Sequence, residues 1–214
     1  MNTPASSADG SRLDPGFDLY LASQSPRRRD LLDSIAVRYR LLLAGPDEDA
    51  EALEAVRPGD TPAVYVQRVA RLKGEAARQR LSRLQAQHGV AAWPAAPVLA
   101  ADTTVALDGR ILGKPQDDSE ALAMLTALAG RSHEVYTAVW LDGQQRLSTS
   151  RVTWSAVPQD ALRAYVASGE PAGKAGAYAI QGRAARWISR IEGSHSGIVG
   201  LPLFELDQLL TSGK

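Results

Sequence analysis

Apolar and polar positions along the chain change period several times, and each change marks a new element. Asp18–Ser23 is a short apolar run that predicts a strand. Pro26–Ile35 follows as a helix: Ser25 is a good N-cap, and Pro26 suits the first helical position, where its missing N–H has no partner anyway. Val37–Leu43 predicts a second strand, and an acidic loop with Asp47, Glu48, Asp49 and Glu51 comes next. From about Thr61 to Gln87 the period is that of a long helix, with Val66, Val69, Ala70, Ala77 and Leu84 on its apolar face. Lys73 falls in the middle of that face and Arg80 near its edge.

Beyond a Gly/Ala/Pro-rich link at Gly89–Ala96, the run Pro97–Ala101 predicts a buried strand ending at Asp102. Val105–Leu107 and Ile111–Leu112 flank Asp108-Gly109, and Glu134–Leu141 and Arg146–Trp154 flank Asp142-Gly143; both are strong hairpin signals. Asp118–Ala129 and Gln159–Ser168 predict helices, Trp187–Glu192 a further strand, and the residues after Pro202 a last helix. Alternating strands and helices with inserted hairpins predict an α/β fold with a mixed sheet.

Composition narrows the function. The chain has 214 residues, 44% of them hydrophobic, enough for one large α/β domain or two small lobes. Its 24 basic and 24 acidic side chains cancel, which argues against a general nucleic-acid binder. With no cysteine, thiolate zinc sites and cysteine nucleophiles are excluded, and three scattered histidines do not make a metal cage. Residues 1–16 read as a disordered polar lead-in rather than a signal peptide. No stretch approaches the roughly 20 apolar residues of a membrane span, so a soluble, cytoplasmic protein is expected.

The candidate chemistry lies in local clusters. Arg27, Arg28 and Arg29 stand in a first helical turn, where positive charge works against the helix dipole. Free N–H groups and guanidiniums after a strand suit a polyanion such as phosphate. Successive helical residues point about 100° apart, so Arg27 and Arg28, nearest the N-terminus, are the better candidates. Asp102, at an expected strand end, can serve as a general base or a metal ligand. Lys73 on its apolar face and Lys114 after the hairpin can meet phosphate, and Glu48 can complete a Mg²⁺ shell. Gly169–Ala175 fails the P-loop spacing. Ala175–Gly182 instead suggests a close backbone approach, with Gln181 as a polar reader of a nucleobase edge.

Taken in order, Leu21–Arg28, Val69–Lys73, Ala101-Asp102-Thr103, Gly113-Lys114-Pro115, Gly176–Gly182 and Ile198–Leu203 resemble the Maf family of nucleotide pyrophosphatases. The resemblance covers the chain from about Asp18 onward, a single domain over residues 17–214. It implies a mixed, elongated α/β sheet flanked by helices, with two lobes around a central cleft, often as a homodimer. The implied activity is hydrolysis of a nucleoside triphosphate to the monophosphate and pyrophosphate, with Mg²⁺ or Mn²⁺.

By the same resemblance, Asp102 matches the proton acceptor, and Arg27, Thr103 and Gln181 match positions linked to base selectivity. Ser23, Arg28, Glu48, Lys73 and Lys114 match the remaining polar lining, with Glu48 and Asp102 as metal carboxylates. Arg27 with Thr103 and Gln181 looks like the branch acting on dTTP and UTP. A pyrophosphatase for 7-methyl-GTP or damaged purine triphosphates, and a nucleotide-binding regulator of septum formation, stay open as alternatives. Two positions depart from the family pattern: the segment between Lys73 and Asp102 is long, and Gly197 stands where asparagine is common.

Overall fold

Long apolar runs bounded by Asp-Gly turns build the centre of the molecule. The computed structural model describes residues 16–46, 48–49 and 52–212. Residues 1–15 of the expected lead-in, and Asp47 and Glu51 of the acidic loop, lie outside them. Among the described residues a mixed sheet takes the order β2-β1-β3-β5-β6-β7, with β4 beside β3. The strands are β1 (Leu19–Leu21), β2 (Tyr39–Leu41), β3 (Val98–Leu107), β4 (Arg110–Leu112), β5 (Ser132–Leu141), β6 (Gln144–Trp154) and β7 (Ile188–Glu192). Only β1 pairs in parallel, with β2 and β3.

Helices α1 (Pro26–Ser34), α2 (Pro62–His88), α3 (Asp118–Leu128), α4 (Gln159–Val166), α5 (His195–Val199) and α6 (Leu203–Thr211) flank the sheet. The short α5, capped by Ser194, was not among the elements expected from periodicity. Both Asp-Gly turns form as expected, with positive φ at Asp108 and Gly109 (51° and 76°) and at Asp142 and Gly143 (50° and 97°). Ser25 does occupy the N-cap of α1 and Pro26 its first turn, yet the Ser25 side chain makes no capping bond.

One expectation needs correction. Asp102 is not at a strand end: β3 runs unbroken through it, from Val98 to Leu107. The polar triplet Asp102-Thr103-Thr104 interrupts the apolar run in sequence. Its threonines are nevertheless β-branched residues that suit a pleated strand, and Thr104 is buried.

Side chains alternate along β3, so its two faces meet different partners. Val98 and Ala100 pack with Val66, Val69 and Ala70 of α2, whereas Leu99 and Ala101 pack with Leu32, Leu201 and Leu206. Further along, Val105 and Leu107 enter a third core with α3 and α4. The same strands thus carry two halves of the molecule. α2 lies very close to the sheet, because a Cβ at Gly74 would collide with the ring of Trp140. That close seating delivers the neighbouring Lys73 to β3. Among the described residues, no helix is long and apolar enough to cross a membrane.

Candidate active site

A break in strand pairing opens the site. β5 covers one edge of β3 from Leu99 to Ala106. The other edge is shared by β1, at Val98 and Leu99, and β4, at Val105 to Leu107. Between them, among the described residues, no strand covers that edge beside Asp102 and Thr103. A cavity of about 1120 Å³ lies there, large enough for a nucleotide. Ser23, Arg27, Arg28, Glu48, Lys73, Asp102, Thr103, Lys114 and Gln181 all line it. The structure therefore brings every sequence-derived candidate to one cavity.

On the α2 face the site is ionic. Asp102 is only 7% exposed, and its Oδ1 accepts a hydrogen bond from Lys73 Nζ at 2.7 Å. The same ammonium donates to Glu54 Oε1 at 2.6 Å, and Lys114 Nζ donates to Glu54 Oε2 at 2.7 Å. Burial pushes the Asp102 carboxyl above its ordinary range, against the pull of Lys73 and Arg28. Glu54 is half-buried, and although its partial burial raises its carboxyl, Lys73 and Lys114 together hold it below the usual value.

Glu54 carries no signal in the sequence. It closes a short 3₁₀ turn, Ala52–Glu54, at the end of the acidic stretch, and no spacing rule singles it out there. Glu48, the expected second carboxylate, also lines the cavity, but Arg80 grips both its oxygens at 2.8 and 2.7 Å. Arg83 adds a third contact at 3.0 Å.

The arginines of α1 are held by another helix end. Arg28 Nε donates to the Gly200 carbonyl at 2.7 Å, and its Nη1 to Ser23 Oγ at 3.0 Å. Arg27 Nε donates to the Val199 carbonyl at 3.3 Å. Val199 and Gly200 terminate α5, whose carbonyl end favours cations. This contact offsets the unfavourable position of the arginines at the start of their own helix. Burial lowers the Arg28 guanidinium from its ordinary value, with Asp102 opposing the shift.

Thr103 faces the side of β3 opposite Asp102, and Thr137 on β5 stands directly across from it. Gln181 is exposed at the cavity wall, on a loop braced by Glu170. Glu170 accepts from Tyr165 Oη at 3.0 Å and from the Arg183 amide at 2.9 Å. The close backbone approach expected before Gln181 is present: Gly176 (φ 67°) sits against Val105, with no room for a Cβ. Lys174, a cation not singled out in sequence, also lines the cavity. Burial and the nearby Arg27 lower its ammonium from the usual value. His195 heads α5 and does not line the cavity.

A buried carboxylate beside Lys73, Arg28 and Lys114 can hold a polyanion and accept a proton beside it. A model of the Maf family, described as Maf-like protein, matches residues 18–213. The chain is 59% identical over 202 residues to the dTTP/UTP pyrophosphatase of Burkholderia orbicola, spanning 92% of this chain and 93% of that protein. It is 58% identical over 200 residues to the dTTP/UTP pyrophosphatase of Cupriavidus pinatubonensis, spanning 92% and 96%. Among solved structures, the Staphylococcus aureus Ham1 protein aligns with a TM-score of 0.40 and 18% identity, over 64% of this chain and 70% of that one.

Proposed function

The chain belongs to the Maf family, and from that premise we propose that it hydrolyses dTTP and UTP to the monophosphates and pyrophosphate. The observation that carries this reading is the buried Asp102 carboxylate, bonded to Lys73 inside a cavity walled by Arg27, Arg28 and Lys114. Water attacks the α-phosphorus. A bond forms from the water oxygen to that phosphorus, the bridging bond towards the β-phosphate breaks, and its electron pair leaves with pyrophosphate. Asp102 takes the water's proton; burial makes its carboxylate a better base than an exposed one. Arg28, Lys73 and Lys114 balance charge on the triphosphate, which is where most catalysis of phosphoryl chemistry comes from. Arg27, Thr103 and Gln181 face the base, and Ser23 holds the Arg28 guanidinium in place.

A divalent cation, Mg²⁺ or Mn²⁺, fits the donor set. Asp102 and Glu54 offer hard carboxylate oxygens around a single ammonium. Among the described residues, no group of three or more His, Cys, Asp or Glu side chains could hold a metal. Phosphate oxygens and water would then complete the shell, as is usual for Mg²⁺. Glu54, rather than the expected Glu48, would share the ion with Asp102, since Glu48 is engaged by Arg80 and Arg83. When bound, the ion supplies further neutralisation of the phosphates.

The test is Asp102→Asn, with dTMP and pyrophosphate release from dTTP measured under Mg²⁺ and Mn²⁺. General-base removal should cost about 10²- to 10⁴-fold in turnover, with an unchanged circular dichroism spectrum. Full activity in that variant would sink the assignment.

A further inference from the structure

The turn that carries Glu54 is held by α2 rather than by a core of its own. From Ala52 to Asp60 no residue is buried, and only Leu53, Glu54 and Asp60 are partly covered. A segment with so little apolar packing is fixed by directed bonds or not at all. Two such bonds reach its backbone. Tyr65 Oη donates to the Glu54 carbonyl at 2.9 Å, and Arg68 Nη2 donates to the Ala55 carbonyl at 2.9 Å. The same Arg68 nitrogen pairs with Asp60, whose carboxylate also accepts from the Arg57 amide at 2.9 Å. Tyr65 and Arg68 stand one turn apart on α2, with the guanidinium 5.6 Å from the ring centroid. Tyr65 is 8% exposed and sits in the core with Val66 and Val69. Neither side chain lines the cavity.

The Glu54 carboxylate has partners of a different kind. Lys73 and Lys114, which hold it here, are also the cations that balance the triphosphate. A polyanion draws both ammoniums towards itself, so their grip on Glu54 weakens when the site is loaded. The bonds from Tyr65 and Arg68 end on backbone carbonyls and compete with no ligand. We infer that Tyr65, assisted by Arg68, is a positioning residue that keeps the Glu54 carboxylate beside Asp102 while nucleotide occupies the lysines. A divalent cation then finds both carboxylates in place. This rests on the reading above that Asp102 and Glu54 share the ion. A carboxylate on a loose turn would lose its freedom at each binding event, which weakens affinity.

The experiment measures Mn²⁺ binding by electron paramagnetic resonance, with the nucleotide site filled by α,β-methylene-UTP, whose scissile bridge is carbon. The wild type is compared with Tyr65→Phe, Glu54→Gln and Tyr65→Phe/Glu54→Gln. Phenylalanine keeps the ring in the core and removes one hydroxyl. Mn²⁺ affinity should fall about fivefold, the scale of one neutral hydrogen bond. Glu54→Gln should lower it at least as far. In the double variant the affinity should equal that of Glu54→Gln alone, because Tyr65 acts only through Glu54. If Tyr65→Phe does not fold, Arg68→Met removes the Ala55 bond and is read in the same way.

A Tyr65→Phe protein that binds Mn²⁺ like the wild type, while Glu54→Gln binds it weakly, overturns the proposal and leaves the metal reading intact. So does a Tyr65→Phe effect that persists undiminished in the Glu54→Gln background, since Tyr65 would then act through the fold at large. Wild-type Mn²⁺ affinity in Glu54→Gln removes the shared ion and this inference with it. No arm reads turnover. A protein that shows the expected Mn²⁺ pattern, yet releases no pyrophosphate from dTTP or UTP, refutes the hydrolase reading and supports this one.

Discussion

Asp102 and Thr103 are neighbours in the chain, but they face opposite sides of β3, and the two sides are built differently. On the α2 side, Asp102, Lys73, Glu54 and Lys114 form a chain of full charges, each within 2.7 Å of the next. On the α5 side, Thr103, Thr137 and the carbonyls of Gly197, Val199 and Gly200 are neutral dipoles with fixed directions. Charge holds any triphosphate regardless of its base, and it is strongest where water is excluded. Selection among bases needs the opposite: short-range, directional bonds that fail when one proton is misplaced. A single strand meets both needs because its side chains alternate. Arg27 and Arg28 join the two sides, with guanidiniums in the cavity and Nε atoms anchored on the end of α5.

The sharpest way to break this division is Lys73→Met. The substitution keeps the apolar stem against α2's neighbours and removes the ammonium shared by Asp102 and Glu54. Asp102 and Glu54 would then face each other with only Arg28 and Lys114 to offset their charge, and their mutual repulsion favours the protonated form of one of them. Turnover should fall by roughly 10³-fold, the scale of losing a donor aimed at developing charge. The loss should be equal for UTP and CTP. Steady-state kinetics on both nucleotides checks it, and a selective loss would mean that the two faces are not separate.

A second effect belongs to the α5 side and concerns stability. His133 shares a face of β5 with Thr137 and lies wholly buried, with its Nε2 2.8 Å from Tyr178 Oη at the cavity wall. Burial lowers its imidazole to about 4, and no charged partner opposes the shift. The unfolded chain takes up this proton near pH 6.5. Between these values only the unfolded state binds it, so stability is fully present above pH 6.5 and falls as the medium is acidified towards pH 4. The total loss is on the order of 3 kcal/mol. Urea unfolding at pH 7 and pH 4.5 should show that slope, and His133→Leu should flatten it. A flat profile in the wild type would contradict the burial argument.

Much of this was legible in the chain before any coordinates, and what was not has identifiable causes. The hairpins were readable because Asp-Gly demands a positive φ at both turn positions. The apolar face of α2 was readable from its period, and with it the placement of Lys73. The nine site candidates were readable from ordered motifs, although those motifs do not say how the side chains pair. Asp102 was misplaced at a strand end because three polar residues break an apolar run even when the strand continues beneath them. Thr137 gave no signal, since a threonine in a strand is ordinary; only its cross-strand register brings its hydroxyl within 3.0 Å of Thr103. Glu54 was hidden among neighbouring acids, because the pairing of a loop carboxylate depends on loop geometry rather than spacing.

The different work of the two loop carboxylates is tested by comparing Glu54→Gln with Glu48→Gln. Glu54 keeps Lys73 and Lys114 in place and stands with Asp102 around one ammonium, so its loss should lower kcat/KM about tenfold. It should also raise the Mg²⁺ concentration needed for half-maximal rate, because one hard oxygen donor is weakened. Glu48 is half-buried, but its work in the structure is to hold Arg80 and Arg83. Replacing it breaks a bidentate ion pair at the cavity wall and should cost no more than about 1 kcal/mol of stability, with the Mg²⁺ requirement unchanged. A metal titration of both variants separates the two carboxylates. If Glu48→Gln shifted the Mg²⁺ requirement while Glu54→Gln left it unchanged, the ionic half of the site would extend towards Arg80, and Lys73 would no longer mark its centre.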